Sequence, residues 1–139
     1  MLVMSRQQVR TLADRHFLLK LGEIIRSELE VLHAGMLAPG RARASAEYCI
    51  ATAKGYGFET ERAIMAFTLW MLRINPMFHS DPQIREVLAK DLVDSETKIQ
   101  TILSPDFDAA WRRAEHATDP RVFWMTIGRI DSEAAAKQI

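Results

Sequence analysis

Residues 61–73 read ERAIMAFTLWMLR, and this stretch decides the fold class of the chain. Thr60 precedes it as a helix N-cap, and Asn75-Pro76 follows it as a stop, because proline disfavours the helical conformation in the residue before it. The apolar side chains of such a helix point in every direction around its axis: Ile64, Met65, Phe67, Leu69, Trp70, Met71, Leu72 and Ile74. A helix that is apolar on all sides is typically buried on all sides. The sequence therefore predicts a buried central helix at about 61–73, which the other helices surround.

Two helices are predicted before the central one, and the first covers about residues 6–33. Its apolar positions recur at helical spacing and include the neighbours His16 and Phe17. Residues 35–40, which contain a proline between glycines, are predicted to form a connection.

The second helix covers about residues 41–54 and carries Ala44, Tyr48 and Ala51 on one face. It ends at Gly-Tyr-Gly, residues 55–57, where a glycine can adopt the left-handed conformation that closes a helix. We expect a short turn there, which leads directly into the central helix.

Aspartate or serine before proline marks three further helix starts, at 81–82, 104–105 and 119–120. Such a residue caps a helix N-terminus, and proline suits the first helical position because its missing N–H has no partner there. The first of these helices extends through about residue 103, with a break near 94–95 left open. The predicted fold class is all-α: one compact bundle of about six or seven helices, with residues 1–139 as a single domain.

The composition is that of an ordinary globular protein, with 48% apolar and 26% charged residues in 139. Eighteen basic and eighteen acidic residues cancel, so no net field draws nucleic acid or an anionic membrane. No stretch approaches the roughly 20 apolar residues that span a bilayer, and the first eight residues do not resemble a signal peptide. A single cysteine cannot form an internal disulfide. We expect a cytoplasmic protein with neither a nucleic-acid nor a membrane partner.

Few side chains offer catalytic or metal-binding chemistry. The four histidines lack a His or Cys at i+3 or i+4, which helical metal sites of the HExxH type require. His79 and Asp81 could share a metal or form a His–carboxylate pair, but a surface histidine beside a helix N-cap is the favoured interpretation. His16 is predicted to be half-buried, and Cys49 to pack as a small buried hydrophobe. The sequence predicts no catalytic residue, no metal ligand and no cofactor.

The acidic residues of the second half also have structural explanations. Asp91 and Asp94 share a face of the predicted helix, whereas Asp106 and Asp108 lie in a first turn, where the helix dipole favours negative charge. Two carboxylates without a histidine or a third acid make a poor metal or acid–base site. We interpret these residues as helix-end and solvated charges.

The candidate binding residues are Met77, Phe78 and His79, in the predicted loop after the central helix. If Met77 and Phe78 point outward, they are partner anchors of the Met and aromatic type. The alternative, which is commoner, is that they fold back as a plug over the end of the core.

Residues 53–84 contain a recognisable run of short elements: Tyr56-Gly57, Thr60-Glu61, an apolar helix, Phe78 and Asp81-Pro82. This run, about a quarter of the chain, resembles small helical accessory proteins encoded with the effectors of bacterial type VI secretion systems. The resemblance implies a cytoplasmic, co-chaperone-like helper that binds an effector or its loading chaperone. It implies no catalytic residues.

We therefore predict a non-catalytic adaptor that binds another protein and assists the loading of a secreted effector, with self-association left open. DNA binding is disfavoured, because a regulator needs a basic face that the sequence does not provide. Two alternatives stay open. An immunity protein that blocks a toxin would gather Asp91, Asp94, Asp106 and Asp108 on one rim. A small-ligand binder or enzyme would have its site near Tyr56, Glu61, His79 and Asp81.

Overall fold

A computed structural model describes residues 6–32 and 41–127, with side chains described for 14–30 and 41–127. These residues form seven α-helices: α1 (Arg6–Leu32), α2 (Arg41–Gly55), α3 (Glu61–Arg73), α4 (Pro82–Leu88), α5 (Ser95–Ile102), α6 (Asp108–Ala114) and α7 (120–127). Two 3₁₀ turns, Phe78–Ser80 and Pro105–Phe107, lie just before α4 and α6. The described residues contain no β-strand, which confirms the all-α prediction. The connection predicted at 35–40 lies outside them.

The turn between α2 and α3 is a glycine-closed helix end, as predicted. Gly57 has a φ of 86° and its N–H donates to the Lys54 carbonyl at 2.9 Å, while the Phe58 N–H donates to the Ala53 carbonyl at 3.0 Å. This pair of bonds is the Schellman arrangement, which satisfies carbonyls at the end of a helix. Phe58 is thereby turned into the core, where it is fully buried.

The predicted caps are confirmed at three helix starts. Thr60 accepts a hydrogen bond from the Ala63 N–H at 3.1 Å, and Asp81 accepts one from the Gln83 N–H at 3.1 Å. Asp119 caps α7 by accepting from the N–H groups at positions 121 and 122. The start at 104–105 differs from the prediction, because the serine side chain makes no cap bond and the proline begins a 3₁₀ turn.

The break left open near 94–95 is present and is wider than expected. Helix α4 ends at Leu88, and α5 begins only at Ser95. Asp94 is extended, with φ −71° and ψ 161°, and its carboxylate accepts the Thr97 N–H at 2.7 Å. The prediction that Asp91 and Asp94 share a helix face is therefore wrong, since both precede α5 and Asp94 is its N-cap.

Helix α1 presents a continuous stripe to the core. Phe17, Leu21, Ile25 and Leu29 recur every four residues and are buried. His16 is exposed, so the prediction of a half-buried histidine is wrong. Adjacent residues of a helix point about 100° apart, and Phe17 occupies the buried direction.

Helix α2 buries Ala44 of the predicted face but not Tyr48 or Ala51. Small residues cover the buried face: Ala44, Ser45, Ala46, Cys49 and Ala53. Tyr48 and Ala51 are exposed, and the ring of Tyr48 meets Phe123 edge-on at a centroid distance of 5.5 Å. Small side chains allow α2 to approach its neighbours closely, so the helix packs through them rather than through its tyrosine.

Helix α3 packs against α1 and α2 and buries one broad face. The buried residues are Ala63, Ile64, Phe67, Thr68, Met71 and Leu72, and the half-buried ones are Met65, Ala66, Leu69 and Trp70. Arg62 and Arg73 are exposed. The prediction of a central helix buried on all sides is not confirmed, because part of its apolar surface is only half covered.

Candidate functional site

The 77–79 segment points inward. Phe78 is fully buried, and its ring stacks on Trp111 at 5.5 Å and meets Phe67 at 4.9 Å, measured between ring centroids. Met77 is half-buried, and His79 is buried. Of the two outward-facing anchors considered from the sequence, Met77 and Phe78, Phe78 does not point outward, and the segment forms the alternative, a plug. The interpretation of His79 as a surface histidine is wrong, because the side chain is buried.

Asn75 explains why the segment folds back. Its side-chain amide donates to the carbonyls of Glu115 and Thr118 at 3.1 and 2.8 Å, and its side-chain oxygen accepts the Met77 N–H at 3.0 Å. The side chain is almost fully buried. One asparagine thus ties the end of α3 to the residues after α6, which leaves Phe78 only an inward direction.

His79 lies among aromatic rings, and its Nδ1 is 3.2 Å from the Tyr56 hydroxyl. Its Nε2 is buried and has no hydrogen-bond partner among the described residues. Burial lowers the pKa of His79, and the charge of Arg85 lowers it further, against an opposing effect of the Pro76 carbonyl. Burial thus favours the neutral form of the ring, which is a polar member of the core.

Asp81 does not pair with His79. Its carboxylate caps α4 and binds Arg113, with a distance of 2.8 Å from Nε to Oδ1. Burial raises the pKa of Asp81, but the bonds from Arg113, Ile84 and Gln83 outweigh it, so the pKa is lowered overall. Both carboxylate oxygens therefore have structural partners.

Cys49 is buried in the core. Burial raises the pKa of the Cys49 thiol to about 12, which leaves it protonated, as expected for a thiol that packs as a small hydrophobe. Within the described residues, no group of three or more His, Cys, Asp or Glu side chains could hold a metal ion.

A polar cavity of about 530 Å³ lies between the α2–α3 turn and the 89–94 turn. Lys98 forms part of its wall, although only 3% of this residue is exposed. Its ammonium group donates to the carbonyls of Tyr56 and Leu88 at 2.7 and 2.8 Å. Burial lowers the pKa of Lys98, and the charge of Asp91 partly offsets this effect. Lys98 joins two helix ends, where cations bind carbonyls favourably.

A second cavity, of about 360 Å³, opens at the surface between α1, α2 and α3, and we call it the α1–α3 groove. Its apolar lining comprises Phe17, Leu18, Ile50 and Ile64, together with the exposed Ala51. Its charged lining comprises Asp14, Glu47, Lys54, Glu59 and Glu61. Leu18 and Ile50 are half-buried, so apolar surface remains accessible inside a charged border.

The border of the groove is acidic. Four carboxylates and, among the described residues, one ammonium group line it, a formal charge of −3. Glu47 is paired with Arg43 at 3.3 Å, and this pair is exposed on α2. Lys54 and Glu59 also line the polar cavity, so the two cavities adjoin at these residues.

Sequence reasoning missed both Lys98 and the groove. Lys98 lies four residues before the buried Ile102, on the same face of α5. A lysine on the apolar face of a helix is a sequence signal that could have identified it as a buried residue. The groove has no comparable signal, because its lining comes from three helices and its residues look ordinary in each. Of the residues proposed around a small-ligand site, Tyr56 lines the polar cavity and Glu61 the groove, whereas His79 and Asp81 line neither.

No protein-family model, curated protein or solved structure matches this chain. Among the described residues, no helix combines the length and the apolar character that crossing a bilayer requires.

Proposed function

We propose that this protein is a non-catalytic accessory protein that binds a segment of another protein in the α1–α3 groove. The observation that carries the proposal is the accessible apolar floor at Leu18 and Ile50, enclosed by a charged border. An apolar centre with a polar rim is the usual anatomy of a protein-binding site. The helix-in-groove mode of recognition uses such a surface.

The open shape of the groove, rather than its volume, favours partner side chains over a cofactor. Its volume of about 360 Å³ is near the lower end of the range for small-molecule sites, which is roughly 300–1,000 Å³. The groove is also open along the surface, and three helices contribute to it. A chain that lays a few apolar side chains into the groove would cover Leu18 and Ile50 while its backbone stays outside.

The resemblance noted in the sequence suggests the class of partner. The run at 53–84 includes three charged residues and one apolar residue of the groove: Lys54, Glu59, Glu61 and Ile64. On this basis the proposed partner is a secreted bacterial effector or its loading chaperone, and the proposed role is that of a cytoplasmic adaptor. This assignment replaces the 77–79 segment with the groove as the binding site.

Affinity isolation from the source cells tests the proposal. Ile50→Ser places a hydroxyl on the floor of the groove, and Leu103→Ser makes the same kind of change at an exposed site on α5's C-cap. We expect one stoichiometric protein partner with the wild type and with Leu103→Ser, and its loss with Ile50→Ser. Circular dichroism must show that Ile50→Ser is folded. Retention of the partner by a folded Ile50→Ser protein would contradict the proposal.

A further inference from the structure

The carboxylates that line the α1–α3 groove come from three helices and from the turn before α3. Asp14 belongs to α1, Glu47 to α2 and Glu61 to α3, while Glu59 precedes α3. The floor residues come from the same three helices. Any apolar segment that enters the groove therefore brings its flanking residues close to negative charge from more than one direction.

From this arrangement we infer that the occupant of the groove is a basic amphipathic segment, with aliphatic residues on one face and Lys or Arg on both flanks. The inference rests on the proposed function and adds the chemistry of the partner to it. Lysine and arginine suit such a border because their stems cover apolar surface while their charged ends reach the carboxylates. A segment with acidic flanks would meet like charges, which disfavours wrong partners strongly.

The inferred partner segment is an α-helix. The described residues contain no β-strand, so they offer no sheet edge on which an extended chain could add a strand. A surface groove between packed helices instead accepts a ridge of side chains from another helix. Apolar residues at i, i+3 or i+4 and i+7 of such a helix would point into the floor, with basic residues beside them.

A second copy of this chain is a poor occupant through the same groove. A two-fold symmetric contact would place one groove against the other, and the described lining residues of each carry a formal charge of −3. An anionic lipid surface is disfavoured for the same reason. The full chain has no net charge, so any attraction comes from the acidic border itself. At about 0.1 M salt, this attraction should be screened beyond a distance of about 10 Å.

Two synthetic amphipathic helices provide the test, and binding is measured by fluorescence anisotropy. Both peptides have leucine on one face, and they carry either lysine or glutamate on the flanks. We expect the lysine peptide to bind saturably, more tightly than the glutamate peptide, and less tightly as salt rises from about 50 to 500 mM. Replacing Glu47 and Glu59 by Gln should weaken lysine-peptide binding about tenfold. The matched control, Glu86→Gln with Glu96→Gln, changes two exposed carboxylates outside the groove lining and should leave binding unchanged.

The outcomes separate the inference from the proposed function. If both peptides bind equally and only Ile50→Ser weakens them, the basic-partner inference is wrong and the groove remains a binding site. If the control pair weakens binding as much as the groove pair, the attraction is non-specific and the inference is overturned. If neither peptide binds, or if both the Ile50→Ser and the groove-pair variants bind normally, the inference fails. If the peptides behave as inferred but Ile50→Ser still retains the cellular partner, the proposed function fails on its own test.

Discussion

The Nζ atom of Lys98 donates a 2.7 Å hydrogen bond to the carbonyl oxygen of Tyr56, across 42 positions of sequence. The same ammonium group also binds the Leu88 carbonyl. One buried side chain thus holds together the turn after α2, the end of α4 and helix α5. These contacts fix the turn at 55–60 on which the groove residue Glu59 lies.

Lys98→Met should therefore lower the stability of the protein. The variant keeps most of the apolar stem but leaves two carbonyls without their charged donor, and hydrogen bonds to charged groups contribute roughly 1.5–3 kcal/mol each. We expect a loss of about 2–4 kcal/mol in the free energy of unfolding, measured by urea denaturation. Lys90→Met, at an exposed position, should change it by less than about 0.5 kcal/mol. Equal effects of the two variants would show that the Lys98 contacts do not stabilise the fold.

Gly55 and Gly57, two positions apart, should respond oppositely to replacement by alanine. Gly57 has a φ of 86°, so Gly57→Ala forces an L-residue into the left-handed region, which costs roughly 1–2 kcal/mol. Gly55 is the last residue of α2, and a Cβ there meets nothing within 4 Å. Gly55→Ala should be neutral or stabilise by up to about 1 kcal/mol. Thermal denaturation of both variants checks the prediction, and a stabilised Gly57→Ala protein would contradict it.

His79 should make the stability depend on pH. Because its pKa is lowered in the folded state, the unfolded chain binds the proton first as pH falls. The contribution of His79 is therefore fully present above the unfolded pKa of about 6.5 and is lost as pH falls toward the lower folded value. We expect the free energy of unfolding to decrease from pH 7 to pH 5, and His79→Phe to reduce that decrease. An unchanged pH profile in His79→Phe would assign the dependence to other groups.

Phe78→Ala should be strongly destabilising, in contrast to a change at an exposed apolar residue. Truncating a buried phenylalanine costs roughly 3–5 kcal/mol. Leu92 is fully exposed in the 89–94 turn, so Leu92→Ser should change the unfolding free energy by less than about 0.5 kcal/mol. Urea denaturation measures both variants. A mild effect of Phe78→Ala would contradict the plug arrangement and restore the 77–79 segment as a candidate surface.

Local features of this fold were predictable, and long-range features were not. The turn at Gly57 and the caps at Thr60 and Asp81 depend on residues within about five positions of each other, so the sequence displays them directly. The inward direction of Phe78 depends instead on bonds from Asn75 to residues 40 and 43 positions away. The exposed side of α2 likewise depends on which face its neighbours cover.

The candidate site was the least predictable part. The acidic border of the groove is assembled from residues on three helices and one turn, and each carboxylate alone is an ordinary surface charge. The apolar run at 61–73 indicated an unusual helix, but not that Ile64 lines a groove with Leu18 and Ile50. Only the packing of α1, α2 and α3 brings these side chains together.

Site-specific photo-crosslinking tests the central claim most directly. A diazirine-bearing amino acid would replace Ala51, which is exposed within the groove, or Ala109, which is exposed on α6 outside the groove lining. After irradiation in the source cells, mass spectrometry would identify the crosslinked segment. We expect an adduct from position 51 but not from position 109, joined to a basic segment of another protein with aliphatic residues at helical spacing. The same adducts from both positions, or none from position 51, would contradict a binding site in the α1–α3 groove.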